Sequence, residues 1–344
     1  MRLLVLRLSA LGDVAMTVPV VTSLARQYPD LEITVLSRPF MQSLYAQAPA
    51  NVRFRGVDVK RYKGVAGLFR LFRELKREGG YEAVADLHGV LRTKILRFFF
   101  RLSGARVACI DKGRREKRAL TAPGHKRLVQ LPTSFTRYEA VFARLGFPVK
   151  SRFRSIYGEG WGDRSLFQAV TGPADGKRWI GIAPFAAHAG KILPDNTLAC
   201  LIEEASKRPD WRIFLFGGGE AEREKLERWS EHRANVLSLA GKLKLDGELA
   251  LMSHLDVMVS MDSANMHLAS LVGTPVVSVW GATHPFAGFM GWGQDAGNAV
   301  QVTDLPCRPC SIFGNKPCLR GDYACLARIT AGQIMEKIEK IVEA

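Results

Sequence analysis

No run of eighteen apolar residues occurs in this chain, so no conventional membrane-spanning helix is expected. The opening MRLLVLRLSALGD breaks its apolar run with Arg7 and Asp13, and no small-residue cleavage site follows. It does not read as a secretory signal, and the six cysteines are therefore expected to be thiols in a reducing cytoplasm. A GxGxxG fingerprint is missing; neither Gly12 nor Gly217-Gly218-Gly219 belongs to one, which argues against NAD as the default ligand. Repeats, low-complexity segments and recognised nucleic-acid motifs are also lacking. Acidic residues are in short supply, 33 against 49 Lys and Arg, giving a net charge of +16 and a pI of about 9.8. That imbalance predicts an anionic partner: nucleic acid, membrane phospholipid or a phosphorylated substrate. What is present is ordinary for a soluble globular protein, with 47% hydrophobic and 24% charged residues over 344 positions. That length suits about two domains.

Leu3 to Leu8 reads as a buried strand, Ser9 to Asp13 as a turn, Val14 to Gln27 as a helix, and Leu31 to Leu36 as a second strand. This is the start of a doubly wound parallel sheet. Val65 to Arg77 is an amphipathic helix with Val65, Leu68, Phe69, Phe72 and Leu75 as its apolar stripe. Ala83 to Leu87 and Arg106 to Ile110 read as strands, Arg92 to Leu102 and Arg137 to Leu145 as helices, and Lys112 to Arg118 as a basic loop. Glycines crowd the region from Lys150 to Lys177, where the interdomain linker is expected. A second α/β unit then runs from Trp179, through a strand at Trp211 to Phe216, the turn Gly217-Gly218-Gly219 and a helix from about Glu220. A final helix follows Thr330.

The organising stretch is VMVSMDSANMHLASLVGTPVVSVWGATHP, residues 257 to 285. It reads strand, turn, helix, strand, turn, with both turns at carboxyl ends of strands, the edge where parallel α/β sheets bind ligands. The first turn, Asp262-Ser263-Ala264-Asn265-Met266-His267, opens a helix whose free amides and positive dipole end suit a phosphate. Asp262 would repel a phosphate, so it is expected to order the turn amides instead. His267 could donate to a ligand or simply pack. Lys191 could neutralise a phosphate or be a solvated surface lysine. Asp13 could cap the first helix or act as a general base. Cys307, Cys310, Cys318 and Cys325 fall within nineteen residues and fit a structural zinc site, with free thiols or a disulfide as alternatives. Cys109 and Cys200 are expected to be isolated and buried. Phe98, Phe99 and Phe100, between Arg97 and Arg101, suit an interfacial contact.

LRLSALGDVAMTVPVV and MDSANMHLASLVGTPVVSVWGATHP resemble two signatures of the ADP-heptose:lipopolysaccharide heptosyltransferases, glycosyltransferase family nine. DLHGVLRTK and the KILP segment are similar as well, and the likeness spans essentially the whole chain. It implies a GT-B fold of two Rossmann-like domains: an acceptor domain, 1–160, a nucleotide-sugar domain, 161–328, and a last helix, 329–344, crossing back to the first. It implies an inverting transfer that needs no metal. Asp13 would match the catalytic base, Lys191 the phosphate lysine and Asp262 to His267 the diphosphate loop. Glu220 or Glu222 would match the ribose contact, and Thr283 would lie close to the donor. The chain departs from the family pattern in carrying Ala264 where glycine is usual, and Ala186 and Ala187 where hydroxyl residues are often found.

The expected function is transfer of a heptose or related sugar from an ADP-sugar to a lipopolysaccharide core acceptor. The expected partners are that donor, an anionic lipid-linked glycan and the inner face of the cytoplasmic membrane, with no nucleic acid. A GT-B nucleotide-sugar epimerase and, remotely, a basic non-catalytic nucleic-acid-binding protein are the alternatives.

Overall fold

The structure is a computed structural model and describes residues 1–343. The chain divides into two compact units. The first comprises residues 1–112 and 132–156, the second 113–131 and 157–344.

In chain order the first unit contains β1 (Arg2–Leu6), α1 (Leu11–Ala15), α2 (Thr17–Gln27), β2 (Glu32–Ser37), β3 (Val52–Gly56), α3 (Gly64–Gly79), β4 (Ala83–Asp86), α4 (Leu91–Leu102) and β5 (Arg106–Cys109). A short helix α5 (Arg114–Leu120) belongs to the second unit, after which α6 (Ser134–Arg144) returns to the first. The five strands form one sheet in the order β3-β2-β1-β4-β5. Every pairing is parallel. Leu3 to Leu6 are fully buried because β1 lies at the sheet centre, where both faces are covered. The helix expected over 14–27 is broken at Met16. Pro19 cannot donate to the Ala15 carbonyl, so the chain closes α1 and restarts as α2. In α3, Leu68, Leu71, Phe72 and Leu75 face the core, and Gly80 at φ +52° ends the helix in the left-handed region.

The second unit continues with α7 (Gln168–Thr171), β6 (Arg178–Ala183), α8 (Asp195–Ser206), β7 (Trp211–Leu215), α9 (Glu220–Ser230), β8 (Val236–Ser238), α10 (Leu245–Met252), β9 (Val257–Met261), α11 (Ala264–Leu271), β10 (Val276–Trp280), β11 (Ala299–Gln301), α12 (Ala324–Ala327) and α13 (Ala331–Val342). Its six strands are ordered β11-β10-β9-β6-β7-β8, again all parallel.

Three expectations need correction here. The basic stretch 112–118, read as a loop of the first half, contains α5. Its segment is fixed to the second unit by a cluster of Leu120 and Leu131 with Ala287, Phe286, Phe289 and Ile312. The Leu131 amide also donates to the Phe286 carbonyl. Second, the boundary between the units falls at 156/157 rather than at 160. Third, the last helix, expected to cross to the first domain, packs within the second unit. Ile334, Met335 and Ile338 join that unit's core, and α13 lies on α8 and β9.

Candidate active site

In each sheet the strand order reverses once. In the first, the chain runs β1 to β2 to β3 and then returns to place β4 on the other side of β1. In the second, it runs β6 to β7 to β8 and returns to place β9 beside β6. Such switch points leave a crevice beyond the carboxyl ends of the two flanking strands. The candidate residues can be sorted by that rule.

At the first switch point, Asp13 follows β1 and His88 follows β4. Asp13 is the third residue of α1, and its Oδ2 accepts from the Ala10 amide at 3.3 Å. The bland capping role is thus partly realised, since a carboxylate in the first turn suits the positive helix end. The same Oδ2 pairs with the Arg7 guanidinium at 2.5 Å. Arg7 is buried, and it also donates to the Leu87 carbonyl at 2.6 Å. The Asp13 side chain is 35% exposed, so the carboxylate can be reached from solvent while one oxygen is anchored. Beneath the second turn, Asp86 is fully buried, and its Oδ1 accepts from the His88 and Gly89 amides at 3.0 and 2.8 Å. Burial, and then the Arg7 charge, push the His88 imidazole down to about 4, so it is neutral at pH 7. Its Nε2 lies 3.4 Å from Ser9 Oγ, and its Nδ1 is buried without a hydrogen-bond partner among the described residues.

At the second switch point, Lys191 follows β6 and the 262–267 turn follows β9. Lys191 is not a solvated lysine: its side chain is 14% exposed, and Nζ pairs with Asp262 Oδ2 at 2.8 Å. Its stem packs on Gly314, where an added Cβ would stand 2.6 Å from Lys191 Cγ and where φ is +72°. Asp262, expected to order the turn amides, is instead the counter-ion of Lys191. Ser263 is the N-cap residue of α11, but its side chain does not cap the helix. The first-turn amides of Ala264, Asn265 and Met266 therefore receive no side-chain cap from Ser263. His267 is buried, one turn into the helix.

On the same sheet edge, after β7, the glycine turn is held by Glu222, whose Oε2 accepts from the Gly218 amide at 2.8 Å. Glu220 opens α9 and pairs with Arg223. Thr283, beyond β10, is fully buried, and its hydroxyl has no hydrogen-bond partner among the described residues. The fold therefore puts Lys191, Asp262 to His267, Glu220, Glu222 and Thr283 on one edge, as the carboxyl ends of adjacent parallel strands require.

Comparison with known proteins follows the same line. The model of glycosyltransferase family 9 (heptosyltransferase) matches residues 68–315. The chain belongs to that family. This family 9 enzyme is 26% identical over 323 residues to lipopolysaccharide heptosyltransferase 1 of Pseudomonas aeruginosa, covering 90% of this chain and 86% of that one. It is also 26% identical over 303 residues to an Escherichia coli lipopolysaccharide heptosyltransferase 3, covering 84% and 85%. The solved structure of E. coli ADP-heptose lipopolysaccharide heptosyltransferase II matches with a TM-score of 0.73 at 18% identity, over 100% of this chain and 99% of that one. E. coli heptosyltransferase WaaC with ADP matches with a TM-score of 0.68 at 22% identity, over 99% and 100%. The two parallel sheets are thus those of a GT-B fold.

Several features of this glycosyltransferase were not found in its sequence. Arg308 is buried, and its guanidinium donates to the carbonyls of Trp280, Gly281, Thr283 and Val302 and to Gln301 Oε1. Burial lowers its pKa to about 10, which still leaves it charged at pH 7. It pins the turn after β10. Phe185 and Trp229 stack at 6.0 Å near the glycine turn. The four clustered cysteines do line one cavity, of about 20 Å³, together with Arg308 and Tyr323. Even so, among the described residues no group of three or more His, Cys, Asp or Glu side chains is arranged to hold a metal ion. The zinc expectation therefore finds no ligand set among the described residues. Cys200, expected to be buried, is exposed.

Proposed function

We propose that this family 9 enzyme moves a heptosyl or closely related group from an ADP-sugar to a hydroxyl of an anionic, lipid-linked lipopolysaccharide core. In this reading the diphosphate occupies the crevice beyond β6 and β9. The arriving phosphate competes with Asp262 for Lys191, and the open amides of α11 take a share of the charge that builds as the anomeric C–O bond breaks. Because these donors are fixed before the reaction, little reorganisation is needed. The acceptor hydroxyl attacks from the face opposite the nucleotide and gives its proton to Asp13, and the anomeric carbon inverts. The transition state carries oxocarbenium character, as in glycoside hydrolysis. Arg7 holds Asp13 Oδ2 in place and leaves Oδ1 to take the proton. Neutral His88, with an unused ring nitrogen, is placed to hydrogen-bond the acceptor. A glutamate after the glycine turn, Glu220 or Glu222, contacts the ribose. A lipid-linked acceptor puts the reaction at the cytoplasmic face of a membrane.

The observation that carries this reading is the pair of half-buried Lys191 with buried Asp262 at 2.8 Å beside a helix start without a side-chain cap, at the switch point of the second sheet. The test is a thermal-shift panel with ADP, UDP and GDP, followed by mass spectrometry of a core acceptor incubated with ADP-heptose. Stabilisation by ADP above the other two nucleotides and an acceptor heavier by one heptosyl unit are expected. Equal shifts with all three nucleotides and an unmodified acceptor would refute it.

A further inference from the structure

We propose that the outward faces of α3 and α4 form a docking surface for a bilayer containing anionic phospholipid. The two helices pack side by side, joined by Phe69 and Phe72 against Phe99, with ring centroids 5.1 and 5.7 Å apart. Five large apolar side chains on them point outward: Val65 and Phe69 on α3, and Leu91, Phe98 and Leu102 on α4. Single exposed apolar residues are ordinary; what needs an explanation is their clustering at helical spacing on adjacent helices. On α4 the exposed stripe is Leu91, Lys94, Phe98, Arg101 and Leu102, while Thr93, Leu96 and Phe100 form the buried one. Of the phenylalanine triplet expected at an interface, only Phe98 stands out; Phe100 is core and Phe99 is half-buried.

Charge decides what covers this face. The twelve residues of α4 contain four basic side chains and no acidic one. Lys94 and Arg101 make no ion pair among the described residues, whereas Arg97 turns toward Asp86 at 3.7 Å. On α3 the two acidic side chains are engaged elsewhere. Glu74 accepts from the Tyr62 hydroxyl at 2.5 Å and Glu78 pairs with Arg55 at 2.8 Å. Arg73 and Lys76 are left exposed beside the apolar stripe. Phe and Leu flanked by Lys and Arg is the pattern of a helix lying at a membrane interface, with rings at the acyl boundary and cations among the phosphates. A protein partner or a second copy would more naturally meet an apolar patch cleared of charge at its centre. The surface rests on residues separate from those of the proposed sugar transfer, so either reading can fail alone.

The test is flotation of the full-length protein with phosphatidylcholine vesicles and with vesicles containing 30% phosphatidylglycerol. Wild type should bind the second set and not the first, and 0.5 M salt should weaken binding. Phe98→Ser with Leu102→Ser should lower vesicle affinity roughly tenfold or more. Lys94→Gln with Arg101→Gln should lower it by roughly fivefold per charge and flatten the salt dependence. These side chains are exposed, so the melting temperature and the shift given by ADP should match wild type in both variants. No binding by wild type, or variants that bind as wild type does, would overturn the proposal. So would a dimer in sedimentation that Phe98→Ser with Leu102→Ser abolishes, which would give the face to a second copy.

Discussion

Replacing Lys191 with Met tests the centre of the donor crevice, because stability and binding should move for separate reasons. Methionine keeps an unbranched apolar stem that reaches as far as the Cε packed near Gly314 but removes the cation. Asp262, 4% exposed, would then be a buried carboxylate without its counter-ion. Breaking a buried pair from one side costs about 3–5 kcal/mol. For a unit of this size each kcal/mol lowers the melting temperature by about 2–4 °C, so a fall of roughly 6–20 °C is expected. Adding Asp262→Asn removes the stranded charge and should restore most of the loss. A double-mutant cycle by differential scanning fluorimetry, with and without ADP, separates the effects. Wild type at about 100 times the dissociation constant should gain about 2.7 kcal/mol from ADP. Lys191→Met should lose most of that gain, and the double variant should recover stability without recovering binding. A Lys191→Met protein that melts within 2 °C of wild type, or that keeps the full ADP shift, would refute the reasoning.

Three further outcomes are expected. Asp13→Ala should lower turnover by about a hundredfold to ten-thousandfold in a coupled assay for released ADP while leaving the ADP thermal shift in place; full turnover would remove the base from Asp13. Glu248, near the start of α10, has its pKa raised to about 7 by burial. Because the folded-state value lies above the unfolded one, its contribution is fully present below about pH 4.5 and is lost as the pH rises through 7. Glu248→Gln should therefore match wild type in urea melts at pH 4.5 and exceed it at pH 8, by on the order of 1–3 kcal/mol. An equal gain at both pH values would exclude this cause. Gly314→Ala should cost about 1–3 kcal/mol, since its φ of +72° is strained for alanine and the new methyl meets Lys191 Cγ. It should also weaken ADP binding by displacing the lysine; a melting curve and ADP titration matching wild type would show that the loop yields.

The strand, turn and helix of residues 257–285 were legible because the apolar periods and the polar turn are local. The turn after β1 was legible for the same reason. Local sequence could not separate a phosphate-binding Lys191 from a solvated one, because its partner, Asp262, follows a strand that is adjacent in the sheet and distant in the chain. Arg308 was invisible for a related reason, since its value lies in four main-chain carbonyls that no side-chain pattern announces. The segment around α5 was misread because a run of Arg and Lys carries no helical apolar repeat. Its anchor is a pair of leucines, Leu120 and Leu131, whose partners lie more than 150 residues on. The cysteine spacing suggested metal, and the four cysteines do meet around one cavity, but spacing alone does not set the arrangement a ligand set requires, and none is found among the described residues.

The borrowed segment 113–131 has a consequence for anyone who cuts this protein in two. The backbone passes from one unit to the other at 112/113, 131/132 and 156/157, so three covalent ties join them rather than one. A single proteolytic nick in any of these links leaves the pieces tethered through the others. A fragment expressed from residue 157 onward would lack Leu120 and Leu131, strip the cover from Ala287, and present a greasy scar to the solvent.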